Sequence, residues 1–342
     1  NFEHEKTLLV DDVLTTLQQL ALMHRRKHQI PVLAITGSNG KTTTKELINA
    51  VLCRQYRVTA TRGNLNNHIG VPLTLLEITA DTELAIIEMG ANHQGEIAQL
   101  CTFAEPTHGM ITNIGKAHLG GFGGYQGVIK AKSELYAWLR YTGGKVFVNA
   151  ANDMLMELTA GMNRILYGSD QRASCRGTAG TDIEMLVIQW NSDAGIIPIH
   201  THLVGNYNFE NAMAAICIGM TFNVSNEKIR SAISDYIPSN SRSQAMKTAK
   251  NSIILDAYNA NPTSMQAALS NFSQVKADHK MVILGDMLEL GDESPAEHQA
   301  IVNLVEESGF EKVIFVGPEF KKAADQRFKC FAHSAEACQW LL

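Results

Sequence analysis

Short apolar runs alternate with segments of helical periodicity along most of this 342-residue chain. Apolar side chains recur at helical spacing in 45–52 and 128–140, whereas other runs are apolar at nearly every position. Continuous apolar runs are typical of strands that are buried on both faces of a parallel sheet. Four of them precede residue 151: 30–35, 84–90, 108–115 and 145–150. The pattern predicts an α/β domain built around a doubly wound, mostly parallel sheet.

The segments that flank this region follow other patterns. Before it, 7–10 predicts a short strand and 12–26 an amphipathic helix, because Leu14, Leu17 and Ala21 share one helical face. After it, residues 167–204 combine clusters of Gly, Ser and Asp with runs in which apolar and polar residues alternate. This alternation predicts an antiparallel patch at the edge of the first domain.

The C-terminal part predicts a second α/β unit of Rossmann-like type. An apolar helix is expected at 208–220, and the Pro and Ser residues of 236–242 predict a linker. Strands and helices then alternate again, with strands at 252–257, 280–287 and 312–317 and helices at 264–272 and 295–307. The last helix reaches Leu342 without a closing strand, so we expect this second domain to be incomplete.

Composition narrows the class of protein. With 45% hydrophobic residues, the chain can form ordinary packed cores, and its length favours two domains. The net charge of −5, without a basic stripe, argues against nucleic acid as a partner. The six cysteines form no C-x-x-C pair, which favours reduced thiols and a cytoplasmic location. No apolar run approaches the ~20 residues that a membrane helix needs, so no membrane insertion is expected.

The segment 34–45 carries the strongest chemical signal. A glycine-rich turn stands between a predicted strand and a predicted helix, and Lys41 and Thr42 close it. Backbone N–H groups and a helix N-terminus attract phosphate oxygens, the lysine adds a positive charge, and the threonine hydroxyl is a candidate Mg²⁺ ligand. Gly37 and Gly40 are closer together than in the usual G-x-x-x-x-G-K-[ST] motif, which indicates a particular subgroup of phosphate loops.

Other polar residues follow predicted strands at the edge where open α/β sheets bind ligands. Glu88 ends one strand and is either a Mg²⁺ ligand or the partner of a surface cation. His118 follows another strand and, taken alone, is more often structural than a ligand. Lys130 and Lys132 fit a solvated helix face. Two loops rich in Asn, His and Gly, 63–70 and 90–95, either form turns or present amides to a polar ligand.

In this order the motifs resemble those of the Mur ligases, ATP-dependent amide-forming enzymes of cell-wall synthesis. The matching segments are TGSNGKTTTKE (36–46), GNLNNHIGVPLTLL (63–76), IIEMGANHQGEI (86–97), TNIGKAHLGGFG (112–123), KAKSELY (130–136), GNYNFENAMAA (205–215), DAYNANPTSM (256–265) and LGDMLELGDES (284–294). The last two blocks are most similar to the branch of the family that adds D-alanyl-D-alanine to a UDP-N-acetylmuramoyl-tripeptide.

The resemblance implies a role for each matching residue. It implies that Lys41 contacts the β- and γ-phosphates of ATP, that Thr42 and Glu88 bind one Mg²⁺, and that His118 helps to bind a second. It implies that Lys132 is carbamylated by CO₂, since a carbamate can bind a cation and an ammonium cannot. The implied nucleotide-binding residues are Gly37, Ser38, Asn39, Gly40, Lys41, Thr42, Thr43, Asn208, Asn211, Arg242, Asp256 and Asn259. The implied substrate-binding residues are Asn66 and Asn67.

The resemblance also implies the domain organisation. Residues 1–29 would be the remnant of an N-terminal UDP-binding domain with a connecting helix, 30–237 the central ATP-binding domain, and 238–342 an incomplete C-terminal domain. A monomer acting on two small molecules, the UDP-muramoyl-tripeptide and D-Ala-D-Ala, is expected. Arg242 departs from the family pattern because it stands in Asn-Ser-Arg-Ser where many relatives have Gly-Arg.

Two alternatives to this function remain open on sequence grounds. One is another amide ligase of the same superfamily, similar to MurE or to folylpolyglutamate synthase. The other is an ATP-gated binding module without catalysis. The coincidence of Glu88, His118 and Lys132 favours an enzyme, because binding alone needs no second metal.

Overall fold

The computed structural model of this chain describes residues 7–180, 185–239 and 241–342. Three pieces of the predicted organisation lie outside these residues: 1–6 of the N-terminal remnant, 181–184 of the antiparallel patch, and residue 240 of the linker.

A nine-stranded sheet forms the centre of the N-terminal two thirds of the chain. Its strands are β1 Val32–Thr36, β2 Val58–Ala60, β3 Leu84–Glu88, β4 His108–Ile111, β5 Lys145–Asn149, β6 Asn163–Gly168, β7 Cys175–Ala179, β8 Val187–Ser192 and β9 Gly195–His200. The order across the sheet is β2-β3-β1-β4-β5-β6-β7-β8-β9. Pairing is parallel from β2 to β7 and antiparallel from β7 to β9, which confirms the predicted antiparallel edge.

Helices cover both faces of this sheet, as the doubly wound prediction requires. They are α1 Val13–Lys27, α2 Lys41–Leu52, α3 Gly70–Leu76, α4 Glu96–Ala104, α5 Leu119–Phe122, α6 Tyr125–Thr142, α7 Asp153–Leu158, α8 Phe209–Thr221 and α9 Asn226–Asp235. Alternate residues of β1 point to opposite cores. Val32 and Ala34 join the cluster of α1, α3, α4 and α6, whereas Leu33 and Ile35 join that of α2, α8 and α9.

Two sequence predictions are wrong, one about the presence of a strand and one about the start of a helix. Residues 7–10 form no strand, and Leu8 and Leu9 are 80% and 96% exposed, because no neighbouring strand pairs with them. The helix after the phosphate loop begins at Lys41 rather than Lys45, since Gly40 caps it in the left-handed conformation. By contrast, α1 begins close to its predicted start, where the Asp12 side chain accepts a hydrogen bond from the Thr15 N–H at 2.6 Å.

The C-terminal part contains two small sheets. Strands β10 Gln244–Lys247 and β11 Ser252–Leu255 form an antiparallel pair, whereas β12 Met281–Gly285, β13 Lys312–Val316 and β14 Lys329–Phe331 form a parallel sheet. Four helices accompany them: α10 Pro262–Gln274, α11 Ser294–Ser308, α12 Pro318–Ala323 and α13 Ser334–Leu341. The sequence did not predict β10, which is the strand that pairs with β11. Among the described helices, none combines the length and apolarity that crossing a membrane demands.

Candidate active site

The phosphate loop lies between the end of β1 and the start of α2, and its glycines are sterically required. Gly37 and Gly40 have φ values of +144° and +77°. A Cβ on Gly37 would lie 2.0 Å from Thr112 Oγ1, and one on Gly40 would lie 2.7 Å from Asn211 Oδ1. The loop is fixed to the end of β4, since the Ser38 N–H donates to the Asn113 carbonyl at 2.9 Å. Only glycine combines these dihedral angles with so close an approach.

Lys41 folds back over this loop. Its Nζ donates to the carbonyl oxygens of Gly37 at 2.7 Å and Ser38 at 3.1 Å. Burial lowers the pKa of Lys41, while the nearby Glu88 carboxylate opposes that shift. The ammonium group therefore lies at the centre of the turn whose N–H groups would receive phosphate.

Glu88, at the end of β3, is 1% exposed and offers a carboxylate oxygen to a cation. Its Oε1 accepts hydrogen bonds from Asn66 Nδ2 at 2.8 Å and from Thr42 Oγ1 at 3.3 Å. Its Oε2 is buried without a hydrogen-bond partner in the described part of the chain, with Lys45 Nζ at 3.8 Å. A buried carboxylate oxygen that accepts no hydrogen bond and lies beside a hydroxyl fits a hard divalent cation such as Mg²⁺.

The described residues contain no cluster of three or more His, Cys, Asp or Glu side chains able to enclose a metal ion. Mg²⁺ commonly keeps several waters and is bound by one or two protein ligands together with substrate phosphates. The small donor set of Thr42 and Glu88 therefore fits a cation that arrives with a nucleotide.

His118 stands at the start of α5 with φ +54°, a left-handed conformation. Its Nδ1 contacts the Glu289 carboxylate of the C-terminal part. Burial lowers the pKa of His118, Glu289 raises it, and the positive charges of Lys41 and Lys132 lower it further. The imidazole is thus within electrostatic reach of both lysines.

Lys132 lies on α6 and is 2% exposed, so the solvated helix face that its sequence also allowed is excluded. Burial, together with the charge of Lys41, lowers the pKa of Lys132 to about 7, against the influence of Glu96 and Glu134. Its Nζ lies 5.1 Å from the centroid of the Phe122 ring. Unlike Glu88 and His118, Lys132 does not line the cleft between the phosphate loop and the C-terminal part.

A cleft of about 790 Å³ lies between the phosphate loop and the C-terminal part. The ends of several strands and the first turns of α8 and α10 line this cleft. All of the predicted site residues line it except Gly37 and Lys132: Ser38, Asn39, Gly40, Lys41, Thr42, Thr43, Asn66, Asn67, Glu88, His118, Asn208, Asn211, Arg242, Asp256 and Asn259. The carboxyl ends of the strands therefore bring together the residues that the sequence disperses.

On the α8 side of the cleft, two asparagines are hydrogen-bonded to each other. Asn211 Nδ2 donates to Asn208 Oδ1 at 2.9 Å, and Asn211 Oδ1 accepts from Thr44 Oγ1 at 3.0 Å. Asn208 Nδ2 donates in turn to the Val204 carbonyl at 2.8 Å. This network fixes both amides against the phosphate-loop helix.

On the C-terminal side, an arginine is stacked on an aromatic ring. The Arg242 guanidinium lies 3.6 Å from the centroid of the Tyr258 ring. Burial raises the pKa of Asp256, and contacts with Ser243, Arg242 and Tyr207 lower it. Asn259 Oδ1 accepts from the Ala260 N–H at 3.0 Å. Planar groups of this kind are suited to a nucleotide base and its ribose.

The two loop asparagines differ in their surroundings. Asn66 bonds to Glu88, whereas Asn67 Oδ1 accepts from the N–H groups of Ile69 and Gly70 at 3.1 and 2.9 Å. Asn67 thus stabilises the turn that leads into α3, the role that turn chemistry allowed. Both side chains nevertheless line the cleft.

Sequence reasoning missed several residues at the site. Tyr207 bonds to Ser243 across the linker, and Asn261 bonds to Asn39 of the phosphate loop with Nδ2 to Oδ1 at 2.6 Å. The Asn-Pro pair at 261–262 is a helix-start signal that could have indicated Asn261. Glu289 lies in the matching block 284–294, but no role was assigned to it from the sequence.

Phosphate loop, strand-end carboxylate and cleft together define an ATP-using α/β enzyme. Two family profiles match the chain: the Mur ligase middle domain over residues 35–219 and the Mur ligase glutamate ligase domain over 241–339. The chain belongs to the Mur ligase family, and it is an ATP-dependent ligase. The first profile alone spans more than half of its length.

Relatives of similar sequence and structure support this family assignment. The UDP-N-acetylmuramoyl-tripeptide--D-alanyl-D-alanine ligase of Bacillus subtilis is 38% identical over 92% of this chain and 69% of the relative. Its Escherichia coli counterpart is 33% identical over 91% of this chain and 70% of the relative. A crystal structure of MurF from Acinetobacter baumannii has a TM-score of 0.88 and 34% identity, covering 98% of this chain and 74% of that one.

A more distant likeness supports the fold. The MurF ligase of Thermotoga maritima, solved in complex with ADP, has a TM-score of 0.86 at 22% identity and covers 100% of this chain and 80% of that one. The predicted fold class, a mostly parallel central sheet with a second α/β part, is confirmed by these structures.

Proposed function

We propose that this chain adds D-alanyl-D-alanine to a UDP-N-acetylmuramoyl-tripeptide in an ATP-dependent reaction of peptidoglycan precursor synthesis. The observation that carries the proposal is identity of 31–38% over most of the chain to ligases named for that reaction. The cleft supports it, because one phosphate loop and several polar side chains face each other across a space large enough for a nucleotide and a second substrate.

In this reaction, the terminal carboxylate of the tripeptide attacks the γ-phosphorus of ATP. ADP leaves, and the resulting acyl phosphate is attacked by the free amine of D-Ala-D-Ala through a tetrahedral intermediate. Phosphate then departs and the amide remains. Lys41 would neutralise charge where carboxylate and triphosphate approach each other, since a fixed cation in a closed site stabilises such a transition state strongly.

Thr42 and Glu88 would bind the Mg²⁺ that accompanies ATP, and His118 would help to bind a second. When bound, magnesium ions neutralise part of the negative charge of the phosphates. The Oε2 atom of Glu88, which accepts no hydrogen bond among the described residues, supports the first assignment. Asn66 and Thr42 donate to the other carboxylate oxygen, Oε1.

Carbamylation of Lys132 is part of the proposal. A neutral amine attacks CO₂, forms a carbamate and releases one proton, so a lysine must lose its charge before it reacts. The pKa of about 7 for Lys132 means that a large share of its amine is neutral near pH 7. Once formed, the carbamate would carry a negative charge into a region that is influenced by Lys41 and His118.

The remaining predicted residues have proposed roles in binding. Asn208, Asn211, Arg242, Asp256 and Asn259 would bind the nucleotide, and Asn66 and Asn67 would face the muramoyl peptide. We take 30–237 as the central ATP-binding domain, 238–342 as the C-terminal domain, and 1–29 as a connecting segment. We take the chain to act as a monomer, and its free cysteines favour a cytoplasmic location.

The test is phosphate release in the presence of ATP, UDP-muramoyl-tripeptide and D-Ala-D-Ala, with each omitted in turn. We expect release only when all three are present. Release with a single amino acid in place of D-Ala-D-Ala would indicate a MurE-like or folylpolyglutamate synthase-like enzyme. ATP binding in calorimetry without turnover on any peptide would indicate a binding module and contradict the proposal.

A further inference from the structure

Two loops from different parts of the chain cross beside the candidate metal site. The Gly120 N–H in α5 donates to the Glu289 carbonyl at 3.2 Å. A Cβ on Gly291 would lie 3.2 Å from the Cα of Gly120, and one on Gly120 would lie 3.4 Å from the Gly291 nitrogen. The absence of side chains on both glycines therefore permits this close backbone approach.

The crossing places the Glu289 carboxylate against His118 Nδ1. Both residues have left-handed backbones, with φ values of +66° for Glu289 and +54° for His118. Few residues other than glycine adopt this conformation, and such outliers concentrate at functional sites. Here the two residues in this conformation, His118 and Glu289, contact each other.

We propose that Glu289 is a positioning residue, contributed by the C-terminal part, that orients the imidazole of His118 for metal binding. This inference rests on the proposed function. His118 Nδ1 is buried against Glu289 while the ring lines the cleft, so Nε2 is the nitrogen that a metal could use. A carboxylate on the other ring nitrogen fixes the tautomer and the orientation of a metal-binding histidine.

The arrangement makes the metal site dependent on both parts of the chain. His118 comes from the segment between β4 and α5, and Glu289 from the turn after β12. The Glu289 side chain is 55% exposed, so packing in a core does not explain its position. Other contacts also join the two parts without touching His118, for example Lys116 Nζ to Glu297 Oε1 at 2.5 Å. Variants at these contacts therefore test closure of the two parts separately from orientation of the His118 ring.

The decisive measurement is Mn²⁺ binding, followed by electron paramagnetic resonance in the presence of a non-hydrolysable ATP analogue. We expect Glu289→Ala to weaken Mn²⁺ binding at the second metal site, which includes His118, by about tenfold or more, the range typical of residues that orient metal ligands. Glu289→Gln keeps an acceptor of similar size and should lose less. The matched control is Asp292→Asn, an exposed carboxylate in the same segment, which should bind Mn²⁺ like the unaltered chain.

Kinetics provide the second readout. In Glu289→Ala, the Mg²⁺ concentration for half-maximal rate should rise, and the rate at saturating Mg²⁺ should largely recover. The proposal is overturned if Glu289→Ala binds Mn²⁺ within twofold of the unaltered chain. It is also overturned if Lys116→Met weakens binding equally, since loss of closure would then explain both. Thermal melting of each variant identifies loss of folding, and the Gln variant then carries the test.

The two proposals can fail separately. Mn²⁺ binding with the ATP analogue requires no peptide substrate. If D-Ala-D-Ala supports no phosphate release, the proposed function fails while the comparison of Glu289 variants still stands. If ligation occurs but the Glu289→Ala variant binds Mn²⁺ normally, only the role of Glu289 fails.

Discussion

Two lysines, Lys41 and Lys45, lie near the buried carboxylate of Glu88. Lys45 is 1% exposed, and its Nζ donates to the Thr61 carbonyl at 2.6 Å and lies 3.8 Å from Glu88 Oε2. Lys41 and Lys132 each lower the pKa of His118 through their charge. Positive charge in a low-dielectric cleft is costly without a partner, so the site is suited to receive a polyanion.

Removal of the phosphate-loop lysine should abolish catalysis. We expect Lys41→Ala to lower the ATP turnover rate by at least a hundredfold, because one such charge contributes about 3 kcal/mol or more to the transition state. Lys130→Ala, on an exposed position of α6, is the control and should retain its rate. A near-normal rate for Lys41→Ala in a phosphate-release assay would refute its role.

Lys132 gives a separate prediction about the carbamate. Lys132→Ala should be inactive, and a short carboxylic acid such as acetate should restore part of the rate by supplying the missing carboxylate. Chloride at equal ionic strength should restore none. Full activity of the variant without any added acid would exclude the carbamate.

His108 should make the free energy of unfolding depend on pH. Burial and the charge of Lys145 lower its pKa to about 4. Between about pH 6.5 and pH 4 the unfolded chain binds more protons at this residue, so stability falls as pH falls through that window. Urea unfolding should show that His108→Gln removes up to roughly 3 kcal/mol of this loss. The exposed His202→Gln should leave the pH profile unchanged, and an identical profile for both variants would contradict the prediction.

Among the elements, the helix starts determine the shape of the site. The phosphate-loop helix α2 begins after Gly40, and α10 begins after Asn261, whose side chain and that of Ser264 form a capping box. Asn261 also bonds to Asn39, so both N-termini meet at the phosphate loop. Two partial positive ends of helices thus add to the charge of Lys41.

Gly40 provides a test of this geometry. Gly40→Ala should weaken ATP binding and destabilise the fold by about 1–3 kcal/mol, because it adds backbone strain and a contact at 2.7 Å with Asn211. Gly95→Ala is a matched control, since Gly95 also caps a helix with φ +90° but has no atom within 4 Å of its Cβ position. Equal effects of both changes on ATP affinity, measured by calorimetry, would show that the contact with Asn211 is unimportant.

At the scale of the whole molecule, the two parts are joined around the cleft. One hydrophobic cluster extends from the central sheet into the helices of the C-terminal part, including Met265 and Leu269. Polar contacts between Asn39 and Asn261, Lys116 and Glu297, and His118 and Glu289 lie around the cleft. Closure of the cleft would exclude water that could hydrolyse an acyl phosphate.

A double-mutant cycle can detect this closed arrangement in solution. Lys116→Met and Glu297→Gln should show a coupling energy of about 1 kcal/mol in urea unfolding, because Lys116 is half-exposed and Glu297 is buried. Addition of an ATP analogue should leave the coupling equal or larger. A coupling energy indistinguishable from zero in both conditions would mean that the two parts do not close in this way.

The sequence predicted most of the fold for an identifiable reason. Buried parallel strands are apolar at every position, so the runs that became β1, β3, β4 and β5 were visible without a partner. Short or half-exposed strands lack that signal. Strand β10 was missed, and the predicted strand at 7–10 is absent, because pairing with a neighbour decides such segments.

In the candidate site, too, the sequence predicted the local features and missed the contacts between distant residues. Local spacing indicated the phosphate loop, since strand, glycine turn, lysine and helix are adjacent in the chain. The contact of Glu289 with His118 and that of Asn261 with Asn39 join residues far apart in sequence. Similarity to a family indicated Lys132, and only the structure established its burial.

By itself, the sequence determined the alternation of strands and helices, the phosphate loop and the family, because each depends on residues that are neighbours along the chain. Tertiary structure decided which charges are buried, which nitrogen of His118 meets a carboxylate, and which strands pair at the C-terminal part. Desolvation, charge pairing and strand pairing depend on distances through space, and folding alone sets those distances.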